Sequence, residues 1–222
     1  MSAALSDRFF ALVAQMGQRR RTNPEHYLVV WCSESDLIAT AHNAAGARGL
    51  NQMMPGTLRS LGAPADFEQL SAEDQLPWIE RLIAAREALN GGPFESAARY
   101  YHSNFFPLTM ARGSSPATVV VGRDAEDSRE RAAYKANAQL DVDRDGAITL
   151  ADLATVLDRV RATRCRGAFD RLARAVLALP PPGASWIAPP APPAPIARST
   201  AGPIVLGAAV LGALGLAAWR TR

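Results

Sequence analysis

Glu34 falls on a stripe of apolar residues at helical spacing, with Val30, Trp31, Leu37, Ile38 and Ala41 as its neighbours on that face. Burying a carboxyl without compensation is costly, so its presence there asks for a chemical reason. An apolar surrounding disfavours the ionised form and raises the pKa, which keeps a proton available near neutral pH. Delivering that proton to a leaving oxygen is what glycosidic cleavage requires. A hydrolase of the two-carboxylate kind needs a second acid at about 5–10 Å. Asp36 would lie about 200° around the helix, facing away, and Asp66 and Glu68 fall in a loop. Asp66 and Glu68 stay open as that second acid.

A second set of acids has a different spacing. Asp141, Asp143, Asp145, Gly146 and Asp152 occupy positions 1, 3, 5, 6 and 12 of a twelve-residue loop, with Ala147 at 7 and Ile148 at 8. That pattern supplies carboxylates at 1, 3, 5 and 12, a carbonyl at 7 and a sharp turn at 6, the requirements of an EF-hand calcium site. The ligands expected are Asp141, Asp143, Asp145, Ala147 and Asp152, around a structural Ca²⁺. Asp at position 12 resembles dockerin-type loops, and its shorter arm weakens bidentate ligation. No second hand accompanies it, so a structural ion is expected rather than a sensor. Cys32 and Cys165 stand in no metal-binding spacing. The sequence leaves a disulfide between them open, and Cys32 is expected as a small buried side chain.

The residues after Glu34 carry a resemblance. Glu34-Ser35 is followed by Asn43-Ala-Ala-Gly46-Ala-Arg-Gly49-Leu-Asn51-Gln52-Met53-Met54-Pro55, with Gly46 twelve, Gln52 eighteen and Met54 twenty residues past the acid. This is similar to the lytic transglycosylase (goose-type lysozyme-like) family, whose pattern runs roughly E-S, then S-x-x-G-A-x-G-L-M-Q-x-M-P-x-T. The resemblance implies that Glu34 acts first as acid and then as base, removing a proton from the C6 hydroxyl of muramic acid to leave a 1,6-anhydro sugar. A second carboxylate and a catalytic cofactor are then unnecessary. It also implies that Ser35 orients the acid, that Gly46 and Gly49 let the chain approach a saccharide, and that Asn43, Gln52 and Met54 line its groove. Met53 reads as core. Asn51 and Asn43 depart from the family's Met and Ser. The family's Ala-rich helix with a tyrosine pointing at the acid matches Ala97-Ala-Arg-Tyr100-Tyr101-His102, a phage-type variant. Tyr101 aligns best, Tyr100 is the alternative, and His102 replaces an Asn and offers a possible base.

The elements needed to position these groups are mainly α-helical. Helical patterns cover about 6–18, 24–41, 56–61, 71–90 and 96–101, and only 117–121 hints at a strand. The fold expected over 1–122 is a lysozyme-like α-helical catalytic domain. A helix over 129–140, the acidic loop and another helix make a helix-loop-helix region at 123–179. A Pro-rich linker follows at 180–200, extended and semi-rigid. The uncharged apolar run 201–219, flanked by Arg198, Trp219, Arg220 and Arg222, is long enough for one transmembrane helix.

A net charge of +3, carried by 23 Arg against Lys135 alone, reads as coding bias, and no nucleic-acid partner is expected. Charged residues Asp7, Arg8 and Arg19 to Arg21 interrupt the N-terminal apolar residues, so no secretory leader is expected. The expectation is therefore a membrane-anchored peptidoglycan lytic transglycosylase acting on glycan strands in the periplasm or cell envelope. A phage or injection particle, with virion or injection-assembly partners, would explain entry from outside; cell-wall remodelling is the other setting. A hydrolysing muramidase, or an inactive wall-binding or virion protein on the same fold, are the alternatives.

Overall fold

The computed structural model describes residues 5–180. Its first helix, α1 (Asp7–Arg20), is started by Ser6, whose hydroxyl accepts the Phe9 N–H, and it buries Phe9, Phe10, Leu12, Val13 and Met16. A short turn leads to α2 (Pro24–Ser35), with Asn23 as N-cap and Pro24 in the first turn, where its missing N–H costs nothing. Tyr27, Leu28, Val30, Trp31 and Cys32 on α2 are fully buried. The helix expected to run to about residue 41 stops at Ser35, because Asp36 and Leu37 both adopt left-handed backbone conformations. Glu34 therefore lies in the last turn of a helix rather than in its middle.

After the irregular stretch that carries the Gly-rich motif come α3 (Pro55–Leu61), α4 (Ala72–Asn90) and α5 (Ala97–Phe105). Ser71 caps α4 through the Asp74 N–H, in keeping with the capping pattern. Helix α5 extends a full turn beyond the expected 96–101 and packs on α2. A 3₁₀ turn (Pro107–Arg112) leads into β1 (Val119–Gly122). The helix expected over 129–140 is instead α6 (Ser128–Ala136) and a separate 3₁₀ turn (Ala138–Leu140), broken at Asn137. Strand β2 (Ala147–Thr149) follows the acidic loop and runs into α7 (Leu150–Thr163), and α8 (Arg166–Leu177) ends the described chain.

The fold is mainly helical with one small two-stranded antiparallel sheet, Gly122 facing Ala147 and Val121 facing Ile148. That pairing crosses the expected boundary at 122/123. Helix α7 packs on α2 and α5, and α8 packs on α1 and α2, so one hydrophobic core runs from Phe9 to Leu172. A disulfide between Cys32 and Cys165 ties α2 to the α7–α8 junction, which corrects the reading of Cys32 as a plain buried thiol. The physical reason is chain path: the α7–α8 turn brings position 165 back to α2 across 133 residues.

Among the described residues no helix is long and apolar enough to cross a membrane. The apolar run 201–219 and the linker from 181 onward lie outside the described residues.

Candidate active site

The C-terminal end of α2 presents Glu34. Its Oε1 is buried and has no hydrogen-bond partner. Burial pushes its pKa up to about 8, and a hydrogen bond with the Tyr101 hydroxyl moderates the rise. The negative end of the helix dipole acts in the same direction as burial, disfavouring a carboxylate in the last turn. No carboxylate is among the causes of the shift. Asp36 turns outward as the helix cap and pairs with Arg164 at 2.5 Å. Glu68 pairs with Arg48 at 2.9 Å, and Asp66 is exposed.

Helix α5 supplies two adjacent tyrosines with separate tasks. Tyr101, 6% exposed, faces Glu34; burial, the charge of Glu34 and their hydrogen bond hold its hydroxyl well above the usual range. Ser33 and the Arg164 charge work against that rise. Tyr100 is turned into the core, where its ring meets Tyr27 edge-on at 5.2 Å and its hydroxyl donates to Asn51 Oδ1 at 2.7 Å. His102 is buried, with Nε2 at 2.8 Å from Thr109 Oγ1 and Nδ1 at 3.2 Å from Arg99. Burial first, then the Arg99 and Arg112 charges, push its pKa down to about 3. Both ring nitrogens are thus committed within the core, which removes His102 as a base.

The motif stretch folds as a tight loop held by its own side chains. Ser35 Oγ bonds the carbonyls of Leu50 (2.9 Å) and Trp31 (3.0 Å), so it anchors the loop to α2 rather than the acid itself. Asn43 Oδ1 accepts the Ala47 N–H, and the Gly46 N–H returns to the Asn43 carbonyl. Gly49 has a positive φ of 76°, and a Cβ there would meet Gln75 Oε1 at 2.5 Å and Phe67 at 2.6 Å. Only glycine fits that approach. Gln52, expected to line the groove, is buried and donates Nε2 to the carbonyls of Gly49 (2.9 Å) and Ala41 (3.2 Å). Met53 is core, and Met54 is half-buried at the start of α3.

Three contributions to this site come from residues that the sequence did not assign to it. Asn51 Oδ1 accepts from Trp31 Nε1 (3.0 Å), Tyr100 (2.7 Å) and Asn104 Nδ2 (3.0 Å), joining the loop to α2 and α5. A polar Asn51 between Leu50 and Gln52 was a signal in the sequence, since a buried amide must find partners. Gln75 on α4 accepts the Leu50 N–H at 2.9 Å and donates to the Ala39 carbonyl at 2.7 Å. Arg164 reaches Asp36 from beside the disulfide, and nothing local in the sequence foretells it.

The acidic loop lies apart from these motif residues, between α6 and α7. Carboxylate oxygens of Asp141, Asp143 and Asp145 fall within 4.8 Å of one another. Asx-type bonds shape the turn: Asp145 N–H to Asp143 Oδ1, and Ala147 N–H to Asp145 Oδ1. Asp152 is not part of that cluster. Its carboxylate accepts from Val142 N, Thr149 Oγ1 and Thr149 N, the last as half of a capping box that starts α7.

No family model, no curated protein and no solved structure matches this chain.

Proposed function

We propose that the protein is a peptidoglycan lytic transglycosylase, cleaving the β-1,4 bond between MurNAc and GlcNAc. The observation that carries this reading is Glu34: a desolvated carboxyl with its pKa pushed up to about 8, bonded to Tyr101, with no carboxylate among the described residues acting on it. A lone acid that is protonated at neutral pH can give its proton to the glycosidic oxygen, and the C1–O bond breaks with GlcNAc leaving as its 4-hydroxyl. The carboxylate so formed then takes the proton of the MurNAc C6 hydroxyl, and that oxygen closes on C1. Glu34 ends protonated again, no water is consumed, and the product carries a 1,6-anhydro ring. Tyr101 assists the first half, since its hydrogen bond favours the carboxylate that this half creates.

Ser35, Asn43, Gly46, Gln52 and Met54 belong to this reading as the scaffold of the loop beside the acid. The side chains of Ser35, Asn43 and Gln52 bond the backbone of α2 and of the loop itself, so they shape a groove more than they touch sugar. The disulfide supports an oxidising setting, in which such bonds persist, and the wall lies in one.

Mass spectrometry of the products from purified peptidoglycan tests the reading. Anhydro-muramic ends are expected; reducing muramic ends alone would make the protein a hydrolysing muramidase, and no release at all would make it a wall-binding protein. Membrane anchoring by 201–219 is part of the same proposal. The full-length chain should stay with membranes through a high-salt and alkaline wash, since salt removes only electrostatic attachment; release by salt alone would discard the anchor.

A further inference from the structure

We propose that the loop between α6 and α7 binds a hard divalent cation through Asp141, Asp143 and Asp145, and that Asp152 is a helix cap and not a ligand. This site does not rest on the reading of Glu34. Three carboxylate oxygens within 4.8 Å repel one another, and a cation between them turns that repulsion into attraction. Asp141 gives the second, independent indication. It is only 5% exposed. Its Oδ2 accepts the Tyr134 hydroxyl at 2.7 Å and the Gly146 N–H at 3.0 Å, while Oδ1 is buried with no partner. A buried carboxylate oxygen left unpaired is expensive, and an ion in the acidic cluster supplies what it lacks.

The donor set chooses the kind of ion. Carboxylate oxygens are hard ligands suited to Ca²⁺ or Mg²⁺ and not to thiolate-loving metals. The turn is already formed for them: Arg144 and Gly146 have positive φ of 64° and 97°, and the Asp143 and Asp145 carboxylates are held by the N–H groups two residues on. Asp152 is committed elsewhere. Its Oδ2 lies 2.5 Å from Thr149 Oγ1 and 2.9 Å from Thr149 N, and its Oδ1 lies 3.0 Å from Val142 N. A glutamate, one methylene longer, would reach past these partners; an aspartate is held by them. Without a bidentate twelfth residue more of the coordination shell is water, so affinity belongs in the weak range of about 10⁻⁴–10⁻³ M. An ion here would fasten α6, through Tyr134 and Asp141, to the strand and helix that follow.

The test uses the full chain and Tb³⁺ as a luminescent stand-in, excited through Tyr134, whose hydroxyl touches Asp141. Tb³⁺ emission that Ca²⁺ displaces, and a Ca²⁺-dependent rise in Tm, are expected. Asp143→Asn combined with Asp145→Asn changes two exposed residues, so the fold should survive while both signals vanish. Tyr134→Phe should lose the emission yet keep the Tm rise. Asp152→Asn should lower the Tm in chelator but retain both ion responses. Equal Tm with Ca²⁺ and chelator up to about 10 mM, tenfold above the weak limit of this range, together with no Tb³⁺ emission, would overturn the site. Loss of both responses in a folded Asp152→Asn chain would overturn the ligand set.

Discussion

Glu34 and Asp141 each hold one carboxylate oxygen away from solvent and without a partner, yet their surroundings drive them in opposite directions. At Glu34 burial prevails over the one opposing donor among the described residues, Tyr101, and the pKa goes up to about 8. At Asp141 burial also works upward, but the Tyr134 hydroxyl and the N–H groups of Gly146 and Arg144 outweigh it, and the carboxyl is held below its ordinary value. The number of donors decides the outcome. A buried acid with few donors keeps its proton and can give it away; one with many donors stays charged and can hold a cation. The same functional group thus serves proton transfer at the end of α2 and charge display between α6 and α7.

Removing the proton should produce the largest effect. Glu34→Gln keeps the shape of the side chain and is expected to lower turnover by at least ~10²–10⁴-fold, the range for losing a general acid. A variant keeping more than half its activity would take Glu34 out of the chemistry. The same change should stabilise the fold at alkaline pH. The folded-state pKa is raised above the unfolded one, so the folded chain binds more protons between about pH 4.5 and 8, and stability falls as pH rises through that window. The gain from Gln should therefore be absent below pH 4 and complete above pH 8, as read from Tm against pH. Catalysis by the wild-type chain should fall on the alkaline side of about pH 8.

The disulfide joins the helix of the acid to the helices that follow the loop, so cutting it tests whether the two regions depend on each other. Closing a loop of more than 100 residues is worth about 4–5 kcal/mol on the chain-entropy account. Cys32→Ala with Cys165→Ala should lower stability by that order in a urea titration. A change under about 1 kcal/mol would mean that α7 and α8 hold against α2 by packing alone.

Smaller changes sharpen the contrast in donor supply. Tyr101→Phe takes away the hydroxyl that donates to Glu34, so the alkaline limb of the pH–rate profile should move to higher pH and turnover should fall about tenfold, the value of one ordinary hydrogen bond. Tyr100→Phe should cost about 1–3 kcal/mol of stability, because Asn51 loses a buried partner, and leave the limb where it was. A limb that moves with Tyr100 and not with Tyr101 would reverse the roles of the pair. The smallest effect is expected from Asp141→Asn measured in chelator. A depressed pKa stabilises the fold above its unfolded value and that contribution is lost as pH falls, so the difference between variant and wild type should shrink in acid, opposite in sign to Glu34→Gln. Parallel slopes for the two variants would contradict the comparison.

The sequence by itself determined what local spacing can encode. Glu34 on an apolar helical face, the left-handed turns at Gly46 and Gly49, the capping serines Ser6 and Ser71, and the alternation of acids around Gly146 are all written within a few residues of one another. Helical content and the order of the helices were legible for the same reason, since amphipathic periodicity repeats every turn. Long-range approach decided the rest. Only the folded path brings Cys165 to Cys32, Arg164 to Asp36 and Gln75 to Leu50. It ended α2 at Ser35, turned Gln52 inward, closed His102 into the core and gave Asp152 to the α7 cap. A pKa, a bond partner or a metal ligand depends on which groups and how much water surround an atom, and those neighbours come from segments far apart in the chain.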